Sequence, residues 1–144
     1  MVEIAPRIFR SNVYCFIPYN GMELRRCLVL HNTLSNLWEV PFGPVRDIES
    51  VASAISRIVS ENARLEYQHH KILDAETSTQ NGKSHLDLVA QVVVSSLGLR
   101  SIGPRSLSEQ YDAHQFIRLT QLNTANCAKA SLATVRQYLN IFRR

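Results

Sequence analysis

Residues 37–65 read LWEVPFGPVRDIESVASAISRIVSENARL, and their hydrophobic period changes part-way along. Trp38, Glu39 and Val40 make a short extended piece that stops at Pro41. Proline has no N–H to give to a ladder and fixes its own φ, so Pro41 and Pro44 flanking Gly43 call for a sharp loop. From Ile48 onward Val51, Ala52, Ile55, Ile58 and Val59 fall at helical spacing. Asp47 is placed to cap that helix, and Arg64 stands near its end. One regular element cannot span such a change of period. The stretch must fold as strand, loop and helix.

The rest of the chain surrounds this unit with strands. Residues 13–17 are β-branched and aromatic enough for a buried strand. Pro18, Tyr19, Asn20 and Gly21 form a hairpin turn signal, because Asn-Gly tolerates positive φ, and residues 25–31 would be the returning strand. Residues 66–76 alternate loosely, and a polar turn follows at 78–84. The clearest strand covers residues 86–94. Leu86, Leu88, Ala90, Val92 and Val94 face one way, and His85, Asp87, Val89, Gln91 and Val93 the other. Residues 98–112 read as a long loop and 113–119 as a short strand. In the tail, Leu132, Val135, Leu139 and Phe142 recur at helical spacing. Strands, helix, strands, helix predict an α/β or α+β fold, one domain over residues 1–144, with a mixed sheet between helices.

Composition narrows the functional classes. With 144 residues, 45% hydrophobic and 19% charged, the chain can bury a normal core. No apolar run reaches the roughly 20 residues of a membrane span, and the first residues lack the apolar stretch of a signal peptide. Cys15, Cys27 and Cys127 are odd in number and far apart, which argues against disulfides or a zinc site and predicts a cytoplasmic protein. The net charge is +4, and thirteen of the sixteen basic residues are Arg. They are scattered, with pairs only at Arg25–Arg26 and Arg143–Arg144, whereas a nucleic-acid surface clusters them with aromatics between. The expected partner is a small molecule, with no nucleic acid and no membrane; a homodimer stays open.

The opening stretch resembles the Nudix box, in which a Gly is followed six residues later by Glu and eight further on by Arg. Gly43, Glu49 and Arg57 match those positions, Leu65 closes the box, and the preceding Trp38-Glu39-Val40-Pro41 looks like the strand that leads into it. The resemblance covers most of the chain and implies a Nudix-like fold. It also implies a cluster of glutamates after the Arg, and there the sequence departs. Ile58 and Asn62 stand in two of the three acidic places, Arg64 replaces a Gly, and only Glu61 remains. Three carboxylates on one helical turn would make a hard-oxygen site for Mg²⁺. Each one lost removes a unit charge about 4 Å from a dication, worth several kcal/mol at moderate effective dielectric. No cofactor is therefore expected, with Mg²⁺ as the alternative.

Each matched residue also has an ordinary structural account. Gly43 can serve the turn alone, Glu49 can favour the first helical turn, and Arg57 with Glu61 can be a surface pair. Outside the box, Asp87 in mid-strand needs either a partner or a role, since an unpaired buried carboxylate is costly. Asp87, Glu61 and Glu39 are the candidate catalytic residues, and Tyr14, Trp38, Phe42, Asn62, His85 and Gln91 the candidate substrate contacts. His31 and His114 read as ordinary histidines. The expected function is a repurposed small-molecule enzyme using metal-independent acid–base chemistry, such as isomerisation, cyclisation or elimination. The alternatives are a Mg²⁺-dependent diphosphate hydrolase of low activity and a non-catalytic binding or regulatory module.

Overall fold

A computed structural model describes residues 9–19, 26–80 and 82–141. Seven strands and three α-helices follow in the order β1 (Phe9–Phe16), β2 (Arg26–Asn32), β3 (Trp38–Glu39), β4 (Phe42–Val45), α1 (Val51–Ala63), β5 (Tyr67–Gln80), β6 (Lys83–Val94), α2 (Ser96–Arg100), β7 (Tyr111–Arg118) and α3 (Lys129–Ile141). One sheet has the order β4-β1-β6-β5 and the other β3-β2-β7. Strands β1 and β6 run parallel, with Tyr14 opposite Val89 and Asn12 opposite Asp87; the other pairings are antiparallel. This is the mixed α+β architecture expected of the sequence.

Two apolar clusters lie on opposite faces of the sheets. Val13, Cys15, Leu28, Leu30, Leu88, Ala90 and Val92 pack with Ile55, Ile58 and Val59 of α1. On the other side Tyr14, Phe16, Cys27, Val29 and Val89 pack with Leu132, Val135 and Tyr138 of α3. Alternation along a strand sends successive side chains to opposite faces, so one continuous apolar run can feed both clusters. That is why residues 13–17 are all buried. Phe16 and Tyr138 stack with ring centroids 4.3 Å apart, which fixes α3 over β1.

Several local expectations are corrected. The helix cap is Ser50, whose hydroxyl accepts from the Ser53 N–H at 3.0 Å; Asp47 lies in the preceding turn, where Ile48 has φ 62°. Strands β1 and β2 do not form a hairpin ladder. Among the described residues they meet at the Pro18–Cys27 bridge and then join different sheets, because β1 is claimed by β4 and β6 and β2 by β3 and β7. Asn20, Gly21 and Arg25 of that turn lie outside the described residues. The loop after Pro41 is itself strand β4, and the loop at 98–112 contains most of α2 and a 3₁₀ turn at Pro104–Ser106. On α3 the most deeply buried position is Tyr138, while Leu139 is only half-buried and Phe142 lies outside the described residues.

Candidate functional site

The matched box residues form a clamp at the junction of β4 and α1. The Arg57 guanidinium donates from Nε to Glu49 Oε2 at 3.0 Å and from Nη2 to Glu49 Oε1 at 2.9 Å. Nη2 also donates to the Pro44 carbonyl at 2.6 Å, and Glu49 Oε1 accepts the Arg46 N–H at 3.1 Å. Glu49 therefore sits ahead of the helix as a tether and not in its first turn. Hydrogen bonding from Arg57 first, and then from the Arg46 backbone, lowers the Glu49 carboxyl to about 2. Such a two-pronged fork is the strong form of a charged pair. It holds β4, the strand that carries Gly43, against α1.

Gly43 meets that helix at close range. A Cβ added there would lie 2.9 Å from Ile58 Cγ1, so the strand approaches Ile58 with no room for a side chain. Ile58 is 2% exposed and belongs to the α1-side core. Asn62 is buried too, and its carbonyl accepts the Ser108 N–H at 3.1 Å. Glu61 points outward, 59% exposed, with the Arg57 guanidinium 3.7 Å away. One exposed carboxylate, one amide and one packed isoleucine are not the donors a Mg²⁺ ion asks for. Among the described residues no three His, Cys, Asp or Glu side chains converge as metal ligands. The residues of α1 do not fit a Mg²⁺ ion held by the protein alone.

A second group of polar side chains gathers around β1 and β3. Tyr14 stacks on Phe42 at 5.2 Å with rings 11° from parallel. Burial first, then the charges of the Asp87 and Glu39 carboxylates, push the Tyr14 phenol up to about 12. Glu39 accepts the Tyr111 hydroxyl at 2.8 Å and the Asn32 amide at 3.3 Å. Tyr111 is pushed far up by burial and by that bond. Asp87 is half-buried on the α3 face of β6, in register with Asn12 and Glu76. Trp38, like Phe42, packs against the α3-side cluster, and it meets the His31 ring edge-on at 5.1 Å.

The predicted site residues thus fall into two groups. Tyr14, Phe42, Glu39 and Asp87 share one neighbourhood through stacking and charge, and Trp38 borders it. Glu61 and Asn62 belong to α1, and no described hydrogen bond or ion pair joins Glu61 to Glu39 or Asp87. His85 and Gln91 lie on the Asp87 face of β6 at either side of it, opposite Arg10 and Phe16 of β1. The described cavities of about 430 and 480 Å³ are lined by other residues. Tyr111 was not predicted; it closes a polar loop in the sequence, and only the fold aims its hydroxyl at Glu39. His31 is a satisfied surface histidine, its Nδ1 2.7 Å from Asp112 Oδ1.

Solved structures share this fold over nearly the whole chain. A MutT NUDIX hydrolase from Burkholderia pseudomallei superposes with a TM-score of 0.67 at 19% identity, covering 90% of this chain and 97% of that one. A MutT protein from Methanosarcina mazei Go1 gives 0.67 at 15% identity, with 98% and 100% covered. The chain has a Nudix fold. A NUDIX hydrolase from Nitrosomonas europaea agrees, with a TM-score of 0.65 at 17% identity over 93% of this chain and 88% of that one. No family model matches the sequence, and no curated protein matches it. The Nudix likeness is one of backbone. Within this fold the clamp of Glu49, Arg57 and Pro44 ties β4 to α1. Among the described residues no helix is long and apolar enough to cross a membrane.

Proposed function

We propose that this Nudix-fold domain binds a small diphosphate-linked molecule and hydrolyses it slowly. The observation that carries this reading is the Glu49–Arg57–Pro44 clamp, which holds β4 and its Gly43 against α1 as a working box would need. The likeness to proteins described as NUDIX hydrolases supports the substrate class by analogy. The slow rate follows from the donor set, because Glu61 is the one carboxylate left of three box positions. Mg²⁺ commonly binds through one or two carboxylates together with substrate phosphates, so Glu61 alone supports weak assistance at most. The free, buried Cys15, Cys27 and Cys127 support a reducing, cytoplasmic setting.

The test is a panel of nucleoside diphosphate-linked compounds assayed with Mg²⁺ or Mn²⁺. The wild-type protein should turn over at least one slowly, and the Ile58→Glu, Asn62→Glu double variant should do so faster. Calorimetry that finds no binding of any such compound, with no turnover by either protein, overturns the proposal.

A second reading has its own observation. Tyr14 stacks on Phe42 and feels the charges of Asp87 and Glu39, which keep its phenol protonated, a set that can donate and accept protons without a metal. On that reading a fairly apolar molecule is isomerised, cyclised or eliminated there, with Asp87 as the first candidate base and Glu39 positioned by Tyr111. Glu61 drops to a minor role, since its partner is Arg57. Asp87→Asn should then cost about 10²–10⁴-fold in rate while EDTA leaves the rate unchanged. Turnover that EDTA abolishes and Mg²⁺ restores decides for the hydrolase. Binding without turnover in either assay identifies a non-catalytic module.

A further inference from the structure

On the α3 side, a cavity of about 480 Å³ opens between the lead-in to β3 and the start of α3. That volume lies within the range of small-molecule pockets. Leu37 and Cys127 line one side, and Leu132 and Ala133 line the other from the helix. Two backbone bonds brace the first side. The Trp38 N–H donates to the Asn126 carbonyl at 2.8 Å, and the Ala128 N–H donates to the Trp38 carbonyl at 3.0 Å. Cys127 is 2% exposed, and burial followed by Glu39 pushes its thiol up to about 11. At neutral pH it is an uncharged, weakly polar patch of wall.

Charge enters this slot from the helix alone. Lys129, Leu132, Ala133 and Arg136 fall at i, i+3, i+4 and i+7, one stripe of α3, and all four line the cavity. The two cations stand about 10 Å apart along the axis, one at each end of the apolar floor. Neither has an ion-pair or hydrogen-bond partner among the described residues. The nearby Glu39 carboxylate is already engaged by Tyr111 and Asn32. An apolar floor by itself would accept any oily group. Two unpaired cations at its rim select an anion.

We propose that this slot binds a small anionic amphiphile, with its aliphatic tail on Leu37, Leu132 and Ala133 and its carboxylate or phosphate head held by Lys129 and Arg136. The site is separate from the box and independent of what the box does. Both side chains are long enough to bend over the slot, and their stems extend its apolar wall. Arg136 favours a two-pronged hold on a flat carboxylate or a phosphate, and Lys129 adds a point charge.

Trp38 is the single tryptophan of the chain, follows Leu37, and packs in the cluster that contains Cys127 and Leu132, so its fluorescence reads the slot. The probes are decanoate, decyl phosphate, decanol and decyltrimethylammonium, each below its micelle concentration. Either anion should shift the Trp38 emission saturably with a dissociation constant below about 100 μM. The Lys129→Ala, Arg136→Ala double variant should weaken both anions at least tenfold and leave decanol unchanged; its melting temperature checks that it is folded. Ala133→Leu, which fills the floor, should weaken every probe. The proposal is overturned if decanol or the cationic analogue binds as tightly as decanoate, or if the double variant binds the anions like wild type. It is equally overturned by the absence of a saturable shift. Vesicles of phosphatidylglycerol should not bind; their capture through Lys129 and Arg136 would assign the face to a membrane and overturn the small-molecule site.

Discussion

Arg64 closes α1 with φ 51° and ψ 40°, a left-handed backbone state that costs an L side chain about 1–2 kcal/mol. Its N–H donates to the Ser60 carbonyl and the Leu65 N–H to the Val59 carbonyl, so the turn that ends the helix requires that state whatever side chain stands there. Glycine adopts it freely, which explains why the Nudix box has Gly at this place. Arg64→Gly should raise stability by about 1 kcal/mol in urea unfolding, after allowing for glycine's greater freedom in the unfolded chain. Ile48 has φ 62° and a fully exposed side chain, so Ile48→Gly should act the same way without losing a contact. Glu49 gives a prediction in pH. Its carboxyl is lowered from 4.5 to about 2, so its contribution is present above pH 4.5 and is lost as pH falls through 2. Glu49→Gln should lower the melting temperature at pH 7, and the gap to wild type should close as pH drops from 4.5 to 2. A gap that is constant over that range would show that the Arg57 fork is not its cause. Among these residues, the sequence revealed that Gly43, Glu49 and Arg57 belong together; that they form a clamp under Pro44 depends on the loop's path.

At the scale of elements, the two main helices are held by different means. Helix α1 is locked to β4 by the clamp and by the close approach of Gly43 to Ile58. Gly43→Ala should cost about 1–3 kcal/mol, since Ile58 is packed in the core and cannot move away freely. Helix α3 is held by packing of its buried face and by the Ser131 hydroxyl, which accepts the Val40 N–H at 3.1 Å. Leu132 is 5% exposed, so Leu132→Ala should cost about 2–5 kcal/mol, whereas half-buried Leu139→Ala should cost less. Chemical denaturation of the two variants checks the order; equal losses would mean that α3 sits differently. The period of the tail sequence disclosed a helix with an apolar stripe. It did not disclose that Tyr138 is the residue at the centre of that stripe, because the depth of a position depends on what faces it, here Phe16 from β1.

For the whole molecule, the question is how metal binding couples to the fold. In wild type Mg²⁺ should leave the melting temperature unchanged, because Ile58 and Asn62 offer it no carboxylate. The Ile58→Glu, Asn62→Glu double variant should melt lower than wild type without divalent ions, since Glu at position 58 would enter a core site that is 2% exposed. Mg²⁺ should restore part of that loss. A wild-type melting temperature that rises with Mg²⁺ would show that Glu61, or residues outside the box, suffice to hold the metal. The sequence by itself determined the strand–loop–helix of the box, the alternation of β6 and the helical tail, because each is a local period written in consecutive residues. It also determined that Ile58 and Asn62 offer no carboxylate beside Glu61, which is a matter of residue identity alone. Only the tertiary structure decided which strands pair. The turn after Ile17 pointed to a β1–β2 hairpin, yet the two strands joined separate sheets. It likewise decided that Glu39 meets Tyr111, 72 positions away, and that Leu37 lines the same cavity as Lys129 and Arg136 of α3. Such contacts join residues with no common period, and only the packing of sheets against helices brings them within reach.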